Sequence, residues 1–155
     1  MWEFCESVGF GRACVVHTTK ILLVEDSKFI RMATERALAR AGYEVSAAED
    51  GEQALQMARE KRPDVILLDM LLPKMAGPDV LKALKKDPAT ARIAVVVCTG
   101  LSQKNAARLQ KDGACAFLEK SELALDKGCD TLLAALADIV KKLDLEVPPV
   151  AAADR

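Results

Sequence analysis

Residues 65–77 read VILLDMLLPKMAG. Val65 to Leu68 form a short apolar run without a charge, the length and composition of a strand buried on both faces of a parallel sheet. The run stops on Asp69, and Pro73 and Gly77 mark the residues beyond it as a loop. Two further runs are of the same type, ILLV at 21–24 and IAVVV at 93–97. Tyr43 to Ala47 and Ala116 to Leu118 have room for two shorter strands. Helical stretches lie between them. Ile30, Ala33, Ala37, Leu38 and Ala41 line one face of the first, with Gly42 at its expected end. Ala54, Leu55 and Ala58 mark a second, opened by Gly51 and Glu52, and Val80, Leu81 and Leu84 a third, entered through Pro78. A fourth runs from a Ser102 cap to Gly113; a fifth carries Leu132, Leu136, Ile139 and Leu143 on one stripe, with Asp130 as its N-cap. Five strands alternating with five helices predict an α/β fold, a doubly wound five-stranded parallel sheet with helices on both faces.

Composition narrows the functional classes. A chain of 155 residues, 51% apolar and 29% charged, fits one domain with a sizeable core. Residues 1–19 show neither sheet nor helix period and read as an irregular extension, residues 20–143 as the domain, and residues 144–155, with Pro148 and Pro149, as a flexible tail. Twenty-two basic against 23 acidic residues give a net charge of −1, which supplies no field for direct nucleic-acid or membrane binding. The five cysteines form no CxxC pair, so neither a disulfide framework nor a zinc site is expected. No apolar stretch approaches the roughly 20 residues that span a bilayer, and the N-terminus lacks a secretory pattern, so a cytoplasmic location is expected.

In such a sheet the working residues lie at the carboxyl ends of the strands, where the winding direction switches. The residues there are Glu25 and Asp26 after strand one, Asp69 after strand three, Thr99 after strand four, and Glu119 and Lys120 after strand five. Converging carboxylates repel each other and favour a hard divalent cation, of which magnesium suits an open site finished by waters and phosphate oxygens. Lys120 adds a second positive charge. Together these groups suit phosphoryl transfer to a carboxylate, a reaction carried by positioning and electrostatics. Any one of the acids is explained as well by capping the next helix, as Asp26 with Ser27 would be. Independent caps have no reason to place acids after strands one and three, a hydroxyl after four and a lysine after five.

VEDS at 24–27, LLDMLLPKMAG at 67–77, VVCTG at 96–100 and FLEK at 117–120 resemble, in order, the motifs of two-component response-regulator receiver domains. The resemblance covers about residues 20–143 and implies the flavodoxin-like (βα)5 fold of a stand-alone, CheY-like receiver. It makes Asp69 the phosphoacceptor, Glu25 and Asp26 the acidic pair, and Thr99 and Lys120 the contacts to the phosphoryl group. Magnesium would be held by Asp26, Asp69 and the backbone carbonyl of Leu71, with Glu25 acting through water. Leu72, Pro73 and Gly77 match the loop after the acceptor. Phe117 holds the switch-aromatic position, its alternative being ordinary core packing; Thr99, drawn toward a new phosphoryl group, would vacate the space the aromatic fills. The partners implied are a sensor histidine kinase or histidine phosphotransfer protein and an unknown downstream protein. A homodimer through the face of helix four, strand five and helix five is a further arrangement of this kind.

The pattern has departures. Ser121 follows Lys120 where the family carries a proline after a cis bond. A cis bond before a non-proline costs about 3 kcal/mol, so this one is either trans, aiming Lys120 differently, or strained. Ser121 to Cys129 is longer than the usual connection. Leu71 and Leu101 border the path of hydrolytic water in the family and cannot orient water, which predicts a long-lived acyl phosphate. Ala76 before Gly77 reads as neutral. His17 reads as a solvated loop histidine, Cys98 as a small buried thiol, and Trp2 and Phe4 as part of an unstructured or loosely docked arm. The main alternative is a receiver-like interaction module that acts without phosphorylation. A nucleotide or flavin carrier lacks its glycine-rich turn in VEDSKF, and an aspartyl phosphohydrolase would need an acid where Leu71 stands.

Overall fold

The structure, a computed structural model, describes residues 18–70, 72–99, 106–119 and 130–143. The expectations for the N-terminal extension, Leu71, Leu101, the Ser102 cap, the Lys120–Ser121 peptide and the tail fall outside these residues. The elements alternate as β1 (Lys20–Val24), α1 (Lys28–Arg40), β2 (Glu44–Ala48), α2 (Gly51–Lys61), β3 (Val65–Asp69), α3 (Gly77–Lys86), β4 (Ala94–Thr99), α4 (Ala106–Lys111), β5 (Ala116–Glu119) and α5 (Asp130–Lys142). All strand pairs are parallel, in the order β2-β1-β3-β4-β5. This is the doubly wound α/β sheet expected from the runs.

Alternation along the strands divides the core in two. Ile21, Leu23, Val65, Leu67 and Val96 pack with Leu38 of α1 and Leu136 and Val140 of α5. Their neighbours Leu22, Val24, Ile66, Leu68, Val95 and Val97 pack on the opposite face with Ala54 and Ala58 of α2, Val80, Leu81 and Leu84 of α3, and Leu109 of α4. Val65 to Leu68 are all buried, which is why they read as a continuous apolar run, and Asp69, also buried, ends the strand. Winding reverses between β1 and β3, and their carboxyl ends flank the resulting crevice.

Small differences from the expected boundaries have local causes. β2 begins at Glu44 because Tyr43 closes α1: its N–H donates to the Leu38 carbonyl at 3.2 Å, while Gly42, at φ 100°, donates to Ala39 at 3.0 Å. This is a Schellman motif, and buried Tyr43 and Leu38 supply its usual apolar contact. It recurs after α4, where Gly113 (φ 117°) donates to Gln110 and Ala114 to Leu109, at 3.1 and 3.0 Å. β4 starts after Ile93 and runs through Thr99, and β3 and β5 likewise include Asp69 and Glu119. Asp130 is the first residue of α5 rather than the residue before it. The buried stripe of α5 is Leu132, Leu136 and Val140, with Ile139 and Leu143 at its margin. Packing also begins a residue early, since Thr19 is buried and its carbonyl accepts from Glu44 N–H at 3.0 Å.

Candidate functional site

The first turn after β1 builds half of the site. Glu25 N–H still donates to the Ala48 carbonyl at 3.1 Å, after which the chain leaves the sheet. Ser27 caps α1, its Oγ accepting from Ile30 N–H at 3.4 Å, while its own N–H donates to Glu25 Oε2 at 3.2 Å. Arg31, in the first turn of α1, reaches back: Nη1 donates to the carbonyls of Glu25 and Asp26 at 3.0 and 3.4 Å. No sequence pattern announces that contact, because it depends on where a long side chain folds.

The other half is the end of β3. Asp69 and Glu25 are each 4% exposed, and Asp26 is exposed. Carboxylate oxygens of Glu25, Asp26 and Asp69 all lie within 4.8 Å of one another. Two unit charges at that spacing repel by about 1 kcal/mol in water and by more where the crevice excludes it. Hard oxygen donors this close fit a small divalent cation, whose ligands sit about 2.1 Å from the metal and so at most about 4.2 Å apart, a modest inward adjustment.

The loop after Asp69 is held down on the strand end by Gly77, whose N–H donates to the Met70 carbonyl at 3.0 Å. A Cβ at Gly77 would stand 2.4 Å from Met70 Cα and 2.7 Å from the Asp69 carbonyl oxygen, so a side chain there would displace the segment carrying Asp69. Ala76 precedes α3 and makes no side-chain cap, and Pro78 lies in the first turn as expected. Lys74, at φ 63°, places Nζ 3.4 Å from Asp50 at the start of α2. Asp50 is the N-cap of α2 and accepts from Gln53 N–H at 2.8 Å; this bond, aided by Lys74, holds its carboxyl below the ordinary range. Reading the helix from Gly51 missed this cap, which the D-x-x-Q spacing of Asp50 and Gln53 signals.

Three of the expected site residues, Glu25, Asp26 and Asp69, thus come together. Thr99 ends β4, in register with Glu119 and one residue beyond Cys98, which pairs with Asp69. Its side chain, with Leu71 and Lys120, lies outside the described part of the molecule. Phe117, in register with Val97, is partly buried against the core on the α2–α4 face. No described helix is long and apolar enough to cross a membrane.

The fold and its acidic crevice define a doubly wound α/β domain with an aspartate at the end of its central strand. Residues 21–131 match the family described as response regulator receiver domain. Among curated relatives, the chain is 40% identical over 109 residues to the gliding motility regulatory protein of Myxococcus xanthus, covering 69% of this chain and 14% of that protein. It is 30% identical to the polar-differentiation response regulator DivK of Brucella anthropi, covering 76% of this chain and 96% of that one. Among solved structures, chemotaxis response regulator CheY4 of Vibrio cholerae superposes with a TM-score of 0.71 at 31% identity, covering 79% of this chain and 99% of that one. The chain therefore belongs to the receiver-domain family of two-component response regulators, a family of signalling domains. It spans about a seventh of the Myxococcus protein but nearly all of DivK.

Proposed function

We propose that this protein takes a phosphoryl group onto Asp69 from a histidine kinase or histidine phosphotransfer protein and signals through a changed partner surface. The observation that carries this reading is the approach of three carboxylates within 4.8 Å at the ends of β1 and β3. An Asp69 carboxylate oxygen attacks phosphorus, the acyl phosphate bond forms, and the bond to the donor's leaving group breaks with its electron pair staying on that group. Magnesium held by Asp26, Asp69 and the Leu71 carbonyl, with Glu25 acting through water, would supply positive charge against the phosphoryl oxygens. Lys120 adds a second charge and Thr99 a hydrogen-bond donor, and Phe117 follows Thr99 to remodel the face of α4, β5 and α5. That face would serve the downstream protein or a second copy. With leucines at 71 and 101, hydrolysis of the acyl phosphate is slow.

The test is incubation with magnesium and acetyl phosphate, followed by intact mass, beside Asp69→Asn. A magnesium-dependent gain of about 80 Da that is absent in the variant is expected, since acyl phosphate chemistry needs that carboxylate. A folded protein that gains nothing would favour an interaction module working without phosphorylation. The decay of the gained mass after donor removal measures lifetime, and a half-life of seconds to about a minute, with no added phosphatase, would refute slow hydrolysis.

A further inference from the structure

We infer that Arg31 is a positioning residue for the acidic crevice: its guanidinium fixes the turn after β1 so that two consecutive carboxylates serve one cation site. This rests on the cation-assisted reading above. Consecutive side chains of a strand point to opposite faces, so Glu25 and Asp26 converge only if the chain turns between them. Pairing with β2 ends at the bond from Glu25 N–H to Ala48, and the next carbonyls leave the ladder. Both of those carbonyls, of Glu25 and Asp26, accept from one nitrogen, Arg31 Nη1, at 3.0 and 3.4 Å.

The clamp is anchored at both ends. Arg31 N–H donates to the Ser27 carbonyl at 2.8 Å, which fixes its backbone in the first turn of α1. Ser27 N–H in turn donates to the Glu25 carboxylate at 3.2 Å, so helix, turn and acid form one hydrogen-bonded unit. Arg31 is itself partly buried, whereas Arg36 on the same helix is exposed.

Charge and position predict opposite signs, which makes the inference sharp. A fixed cation beside a metal site repels the metal, so by charge alone removing Arg31 would tighten magnesium binding. By position, removal lets the turn relax and weakens it. The measurement is magnesium titration calorimetry on the full chain at fixed ionic strength. Arg31→Ala is expected to raise the dissociation constant about tenfold, in the range for groups that orient metal ligands, and Arg31→Lys to recover part of the loss. Arg36→Ala, which removes a charge without a clamp, should stay within about twofold. Because the dissociation constant is read on folded protein, a purely structural role would lower melting temperature and leave it unchanged. Unchanged or tighter binding in Arg31→Ala overturns the inference; if that variant does not fold, Arg31→Gln decides by the same criterion. Wild type that binds no magnesium, or Asp26→Asn that binds it undiminished, would instead bring down the underlying reading of the crevice.

Discussion

Two turns of this protein carry the same dipeptide and use it differently. Glu25-Asp26 follows β1, and Glu49-Asp50 follows β2. In the second turn Asp50 caps α2, and Gln53 Oε1 reaches back past the cap to accept from Glu49 N–H at 2.8 Å. In the first turn the capping oxygen comes from Ser27, one residue later, and Asp26 lies instead with Glu25 and Asp69. Place in the sheet completes the contrast: β1 is hydrogen-bonded to β3, whereas β2 is an edge strand and Glu49 is exposed. An acid after a strand is free to join a carboxylate cluster when a neighbour takes over the cap and the strand lies at the switch of winding.

The largest effect that separates the turns is chemical. Asp26→Asn should slow magnesium-dependent phosphoryl uptake from acetyl phosphate by about a hundredfold, whereas Asp50→Asn should leave it within about twofold. Time courses of intact mass measure both. Equal losses would mean that the two acids are not functionally distinct, and the comparison would fail.

The contrast also bounds what the sequence made legible. Buried strands could be read because Val65 to Leu68 are buried on both faces and carry no polar residue before Asp69 ends the strand. The acids were found because the order of β1 and β3 follows from right-handed winding, which puts their ends together without knowledge of any side chain. The edge strand β2 was harder to bound: Tyr43 looks like a strand residue, yet it serves the end of α1. The α5 stripe was displaced for a related reason. Ile139 and Val140 are both apolar, and only packing against Leu38 and Val96 selects Val140 as the buried one. Arg31 was invisible because its role is a reach of a flexible side chain to backbone carbonyls, which leaves no periodicity.

The two turns also differ in what their caps and charges contribute to stability. Ser27→Ala and Asp50→Ala each remove a cap and should each cost about 1 kcal/mol in urea denaturation. A Ser27→Ala protein as stable as wild type would indicate that Asp26 can take over the cap, erasing the difference between the turns. Asp26→Asn should move the other way. Without divalent cations it relieves repulsion among the three carboxylates and should stabilise by about 1 kcal/mol, raising the melting temperature by about 2–4 °C. Asp50→Asn, which lifts no such repulsion, should give no gain; if Asp26→Asn also gives none, the three charges do not interact at the observed spacing.

The smallest effect is in pH dependence. Asp50 has its carboxyl lowered below the ordinary range by the Gln53 N–H bond and, secondarily, by Lys74. A carboxyl lowered on folding contributes stability that is complete above its unfolded value, about 3.9, and is lost as pH falls through the folded value. Asp50→Asn keeps a capping oxygen but cannot titrate, so it isolates the charge. Wild type should therefore exceed Asp50→Asn by about 0.5 kcal/mol from pH 7 to 5, the scale of a carboxylate at a helix N-terminus. Below pH 4 the gap should close, because a protonated Asp50 no longer gains from the Gln53 N–H or from Lys74. Part of the gap should also fall away in high salt, as the Lys74 pair is screened while the cap is not. A gap that widened on acidification would show that the charge on Asp50 opposes folding, and the second turn would then resemble the crowded first one rather than contrast with it.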